Sequence, residues 1–240
     1  MANPVTARDW SIGPRAQDSP VQRGAAPLPR VRVTEIFHSI QGESLSAGER
    51  TAFVRLTGCP LRCTYCDTPY AFKGGEWREI PEILAEIAEY SVRHVCVTGG
   101  EPLAQGSSHA LLAALCDAGY QVSLETSGAM EIDAVDPRVI KVLDFKTPGS
   151  GEQDRNLLGN LEHLGPRDQL KLVICDETDY HWAASLVLDR ALHERCTVLL
   201  SPATPGCEPG DLADWILRDR LPARLQIQLH KVLWGETRGR

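Results

Sequence analysis

Strand-like and helix-like stretches alternate about six times between residues 31 and 233, and no other feature limits the fold of this chain as tightly. VRVTEIF (31–37) and TAFVRLTG (51–58) read as strands. IPEILAEIAEY sets apolar residues at 80, 83, 84, 87 and 88 on one helical stripe, with Pro81 suited to a first turn. HVCVTGG (94–100), QVSLETSG (121–128), QLKLVIC (169–175) and CTVLLSPAT (196–204) are short strands that run into loops, as is VIKVLDFKTPGSG (139–151). Helices are expected over 107–118, 178–190 and 211–220, the last with Asp211 near its N-cap, and a short one near 155–164. RLQIQLHKVL (224–233) reads as the last strand. Such alternation implies parallel strands joined by crossover helices. The polar and glycine-rich motifs follow the strands, where loops beyond strand C-termini build active sites. Six units are too few to close an eight-fold barrel. The expectation is an α/β chain whose parallel sheet forms a partial, open TIM-like βα barrel, as a single domain over 30–240.

Composition narrows the function classes. The net charge of −7 over 240 residues lacks the basic footprint of broad nucleic-acid binding, so no direct nucleic-acid partner is expected. A small anionic substrate held by one or two arginines remains compatible with it. No apolar run approaches the roughly 18 residues of a membrane span, and residues 1–30 lack the apolar core of a secretory signal. A soluble, cytoplasmic protein is expected. Residues 1–29 hold five prolines and no periodicity, which reads as a disordered leader; its aspartates and prolines fit poorly with an organelle transit peptide. Among the eight cysteines, Cys96 and Cys175 sit in apolar runs and Cys116 in a helical pattern, as buried free thiols do. Without a secretory signal, a disulfide framework is not expected.

The stretch GCPLRCTYCDTPYAF (58–72) gathers Cys59, Cys63 and Cys66 as C-x3-C-x2-C, and the next cysteine, Cys96, is thirty residues on. A structural zinc site takes four protein ligands, usually in two pairs; His38 or Cys96 would have to complete it. A ferredoxin-like electron carrier also needs four thiolates for its cluster. Three leave an incomplete shell. A three-cysteine cubane would keep one iron open to a small molecule.

The trio, with Tyr65 before its last cysteine, resembles the radical S-adenosylmethionine (SAM) superfamily, and TGGEP (98–102) at the end of the next strand is a second point of likeness. The resemblance implies a radical SAM core with a [4Fe-4S] cluster on Cys59, Cys63 and Cys66, its fourth iron ligated by SAM. It also implies that the GGEP turn meets the methionine ammonium. Glycines permit close backbone approach there, and Glu101 or exposed carbonyls can accept from an ammonium.

Further stretches narrow the likeness: EIFHSIQGES (35–44), VRLTGCPLRCTYCDTPYAF (54–72), DFKTPGSG (144–151) and LQIQLHKVLWG (225–235). Together they are similar to the 7-carboxy-7-deazaguanine synthases, lyases of 7-deazapurine (queuosine) biosynthesis, over about residues 31–235. The resemblance implies conversion of 6-carboxy-5,6,7,8-tetrahydropterin to 7-carboxy-7-deazaguanine, with ring contraction and loss of ammonia. A 5′-deoxyadenosyl radical takes and later returns a hydrogen, so that SAM is regenerated. It further implies Mg2+ at Thr68, a pterin turn at Ile40, Gln41, Gly42 and Glu43, and substrate contacts from Arg55, Thr98 and His230. Glu43, Arg55 and His230 are the expected catalytic groups. SAM contacts are implied at Tyr65, Cys66, Asp67, Gly100, Glu101, Asp144, Phe145, Lys146, Ser201, Pro202, Ala203 and Thr204. A homodimer and an electron donor such as flavodoxin follow from the same likeness. The rivals are a radical SAM activase acting on a partner protein and a metal-binding module without turnover.

Overall fold

The computed structural model describes residues 28–239. The expected leader therefore lies outside the described residues, except for Leu28 and Pro29, and so does Arg240. One nine-stranded open sheet runs in the order β3-β1-β2-β4-β5-β6-β7-β8-β9. β2 (Arg50–Leu56), β4 (His94–Gly99), β5 (Gln121–Ser127), β6 (Ile140–Asp144), β7 (Gln169–Ile174) and β8 (Thr197–Pro202) are mutually parallel and adjacent in chain order. About six βα units were expected; six such strands are present and the sheet does not close, but no α-helix follows β5 or β6, whose connections are loops and 3-10 turns. β1 (Arg30–Ile40) departs from the expected parallel pattern: it pairs antiparallel with β2, and β3 (Glu76–Glu79) pairs antiparallel with β1. The first parallel strand is thus β2, the one that leads into the cysteines.

Each parallel strand alternates two chemistries. Val54 and Leu56, Val95 and Val97, Val122 and Leu124, Leu143, Leu170 and Leu172, and Val198 and Leu200 join one apolar core with α1 (Ile80–Glu89), α2 (Ser108–Asp117), α3 (Glu177–Asp189) and α4 (Pro209–Asp219). The residues between them face a cleft over the strand C-termini and include Arg55, Thr98, Glu125, Asp144, Lys171 and Ser201, one polar side chain from each of these six strands. Because side chains alternate with period two, a single sequence run builds both the core and the site.

The helices start where local chemistry allows. Glu79 and Glu82 form a reciprocal capping box on α1, with Pro81 in the first turn as expected. α3 begins at Asp176, whose side chain accepts from Asp179 N. α4 begins at Glu208 with Pro209 in its first turn, earlier than the Asp211 cap the sequence suggests. The helix expected near 155–164 is a 3-10 turn over Leu158–His163: Gly159 weakens an α-helix, and Asn160 bonds to the backbone of residues 128, 130 and 132 instead. The last expected strand is the largest difference. β9 spans only Arg224–Leu225, and Leu229–Trp234 forms α5, so His230 lies on a helix. The alternation of Leu225, Ile227 and Leu229 imitates a strand, yet Leu225 and Ile227 stay exposed. Gln226 N still donates to Leu200 O; three residues later Leu229 N donates to Gly42 O, off the sheet.

Candidate active site

The cleft measures about 480 Å³ and opens at the C-terminal ends of the parallel strands. Cys59, Cys63 and Cys66 lie along it as free, half-buried thiols. Neither alternative fourth ligand is with them: His38 is exposed and stacks on Tyr90, and Cys96 is fully buried in β4. Among the described residues, no group of three or more His, Cys, Asp or Glu forms a ready site for a single ion.

The cysteine loop is held from two sides. On one, Gly100 brings the β4 turn so near that a Cβ would lie 2.4 Å from Gly58 O and 2.8 Å from Cys59 Cβ. Gly100 N donates to Leu56 O and Glu101 N to Gly58 O. On the other, Thr64 N donates to Ser150 O at 3.0 Å. Burial pushes the Cys63 thiol up to about 11, against the opposing charge of Lys146. Burial works against the charge of Lys146 as well, but Asp144, 2.9 Å away, and the thiols hold its pKa above the usual lysine range. Lys146 also lies 5.7 Å over the Tyr65 ring. Tyr65 lines the cleft, and burial raises its hydroxyl, which is enclosed without a hydrogen-bond partner.

Elsewhere in the cleft, charged side chains of both signs are held by partners. Glu125 accepts from Thr98 Oγ1 at 2.9 Å and from Gln41 Nε2 at 3.3 Å. Lys171 pairs with Glu43 and lies 4.0 Å from Asp144. Burial opposes the Lys171 charge, but Glu43, Asp144 and Glu125 together raise its pKa. Arg55 Nε donates to Glu35 at 2.7 Å, and Tyr70 OH donates to the same carboxylate at 2.9 Å. Gln228 Nε2 bridges Glu43, at 2.7 Å, and Asp67, at 3.2 Å. Asp67 also accepts from Thr68 Oγ1 at 2.8 Å and lies 3.7 Å from Lys231. Burial pushes the Asp67 carboxyl up; the Thr68 hydrogen bond and the lysines outweigh it and set its pKa below the usual range. Gly42 seats α5: a Cβ there would meet His230 Nδ1 at 2.0 Å.

Most of the expected site residues therefore share one cleft: Ile40, Gln41, Gly42, Glu43, Arg55, Tyr65, Asp67, Thr68, Thr98, Gly100, Asp144, Lys146, Ser201 to Thr204 and His230 all line it with the cysteines. Two do not. Glu101 is fully buried, and its carboxylate accepts from Leu103 N, Thr126 Oγ1, Ser127 N and Ser127 Oγ at 2.6–2.9 Å. With four donors already on it, the side chain is a strut between the β4 turn and the end of β5 and has no place for an ammonium. Phe145 is buried, its ring against Gly128, outside the cleft. Sequence reasoning missed Glu35, Tyr70, Glu125, Lys171, Gln228 and Lys231. Glu125 and Lys171 had a weak signal: each is the one charged residue in its strand, QVSLETS and QLKLVI.

The residues fit a cubane cluster with a small ligand better than a closed metal site. Three reduced thiols sit on the cleft wall, the Gly100 backbone packs against Cys59, and the Tyr65 hydroxyl is buried without a partner. Residues 53–144 match the radical SAM superfamily model. Among curated proteins, the 7-carboxy-7-deazaguanine synthase of Chlorobaculum tepidum is 44% identical over 89% of this chain and 98% of its own. That of Koribacter versatilis is 39% identical over 87% of this chain and 100% of its own. A crystal structure of QueE from Escherichia coli shares the fold, with a TM-score of 0.69 at 24% identity, covering 84% of this chain and 95% of that one. With relatives at 39–44% identity matched over nearly their whole length, the chain belongs to the 7-carboxy-7-deazaguanine synthase family of radical SAM enzymes.

Proposed function

We propose that this enzyme converts 6-carboxy-5,6,7,8-tetrahydropterin to 7-carboxy-7-deazaguanine with release of ammonia. The observation that carries the reading is the inward layer of mixed charges, Arg55, Glu125, Asp144 and Lys171, lining one cleft with three reduced thiols. A pterin ring presents mixed donors and acceptors and a carboxylate, which such a layer can match. Cys59, Cys63 and Cys66 would hold the [4Fe-4S] cluster, and Tyr65, Gly100, Lys146 and Ser201 to Thr204 would contact SAM. When bound and reduced, the cluster and SAM together supply the 5′-deoxyadenosyl radical. The chain's own part is to bind and orient. Arg55 would fork the substrate carboxylate, restrained meanwhile by Glu35; Gln41 and Glu43 would pair with the pterin edge; His230 would close the site from α5. Thr68 and its neighbour Asp67 offer the oxygen ligands that suit Mg2+ at the mouth. A homodimer, an external one-electron donor of the flavodoxin kind and a cytoplasmic setting complete the proposal. No helix among the described residues is long and apolar enough to cross a membrane.

An anaerobic assay tests it. Protein reconstituted with iron and sulfide is given reductant, SAM, Mg2+ and 6-carboxytetrahydropterin, and products are followed by mass spectrometry. The deazaguanine carboxylate should form, depend on SAM and vanish in Cys63→Ala. Formation of 5′-deoxyadenosine with the pterin untouched would overturn the substrate assignment.

A further inference from the structure

Asp179 lies in the first turn of α3, is 1% exposed and lines no part of the cleft. Its carboxylate nevertheless gathers the loop after β6: Oδ1 accepts from Gly149 N at 2.8 Å and Oδ2 from Cys175 N at 3.0 Å, and Oδ2 also lies 2.9 Å from Thr147 Oγ1, whose one proton is shared with Val173 O at 2.7 Å. The fit is close. A Cβ on Gly149 would lie 2.6 Å from Asp179 Oδ2 and 2.8 Å from Cys175 Cβ, so only glycine lets this loop sit on the carboxylate. Thr147 and Ser150 are fully buried, and Ser150 Oγ donates to Thr147 O at 2.6 Å. The same short loop then grips the chain on both sides of Cys63. Thr64 N donates to Ser150 O at 3.0 Å, Thr64 Oγ1 donates to Gly149 O at 2.8 Å, and Arg62 N donates to Glu152 Oε1 at 2.5 Å.

We propose that Asp179 is a positioning residue that sets the place of Cys63 through loop 147–152, from a helix that touches neither cluster, cofactor nor substrate. The carboxylate is required because it offers acceptors alone. An amide of the same size turns an NH2 toward either Gly149 N or Cys175 N, which sit on different oxygens, and cannot satisfy both. The link is built of hydrogen bonds to backbone at each joint, so loss of the carboxylate frees the 147–152 loop and, through it, the amides of Arg62 and Thr64. The role in the reaction rests on the cluster reading given above; the mechanical link does not.

Amide hydrogen exchange on the metal-free full chain, wild type against Asp179→Asn, reads the link directly. Faster exchange is expected at Gly149 and also at Arg62 and Thr64. Faster exchange confined to residues 147–152 and 175, with Arg62 and Thr64 unchanged, would overturn the proposal, since a merely local role predicts that pattern. In a second arm both proteins are reconstituted with iron and sulfide, and iron loss to a chelator and the electron paramagnetic resonance signal of the reduced cluster with SAM are recorded. Iron should leave Asp179→Asn about ten-fold faster, with an altered signal. Identical retention and signal would overturn the role at the cluster. Should wild type itself take up no iron, the cluster reading fails while the exchange arm still decides the link. If Asp179→Asn does not fold, Thr64→Val takes its place in both arms. It removes only the bond from Thr64 Oγ1 to Gly149 O, and unchanged exchange at Arg62 and Thr64 together with unchanged iron retention would count against the proposal.

Discussion

Glu101 shows how a residue in a recognisable motif can serve the fold. Its carboxylate takes four donors in a site without water access, so Glu101→Gln offers one acceptor oxygen where two were used. Hydrogen bonds to a charged group contribute about 1.5–3 kcal/mol each, and stranded donors add to the loss. A destabilisation of about 3 kcal/mol is expected, a fall in Tm of about 5–10 °C by calorimetry. His94 is a second buried group with a measurable signature. Its Nδ1 lies 3.1 Å from Thr51 Oγ1, and burial lowers its pKa, with Glu49 opposing. The unfolded imidazole titrates near pH ~6.5 and the folded one below that, so the unfolded chain binds the proton more readily. Stability is complete above that pH and falls as pH drops through it toward the folded value. The unfolding free energy from urea titrations should be lower at about pH 5 than at about pH 7.5, and His94→Gln should narrow the difference.

At the scale of elements, α5 owes its place to one glycine. Gly42→Ala would push a methyl group into His230, and relief requires α5 to move. Turnover of the pterin should fall at least about ten-fold, while SAM cleavage without substrate, followed as 5′-deoxyadenosine, stays near wild type. Equal loss of both would show that α5 supports the cofactor side as well. This element was also the least legible in the sequence. Leu225, Ile227 and Leu229 alternate as a strand should, and only a contact 187 residues upstream, Leu229 N on Gly42 O, decides otherwise. Where apolar periodicity met the sheet core, as in Val95 and Val97 or Leu170 and Leu172, the sequence reading and the structure agree. β3 was missed because EWRE lies at a sheet edge, where exposure removes the pattern. Most motif residues of the cleft were legible through likeness, because they fall within the runs 35–44, 54–72, 98–102, 144–151 and 225–235; Ser201 to Thr204 lie outside those runs. Glu125 and Lys171 were not, since a charge within a strand declares its purpose only once its neighbours across the sheet are known.

For the molecule as a whole, cluster, cofactor and fold should be thermodynamically linked. A ligand that binds only the folded, loaded chain raises apparent stability by about 2.7 kcal/mol at a hundred-fold excess over Kd. SAM should therefore raise the Tm of the reconstituted protein, measured anaerobically, and leave Cys63→Ala or metal-free protein unmoved. A shift in the metal-free protein of the same size would place the main SAM contacts on the protein alone. The alternation of the parallel strands has a consequence for genetics. In a saturation mutagenesis scan, outward positions such as Val54, Val97 and Leu172 should be depleted when variants are sorted by protein abundance. Their immediate neighbours Arg55, Thr98 and Lys171 should pass that sort and be depleted only under selection for growth on the product. The same six strands would then appear twice, shifted by one residue, in two phenotypes.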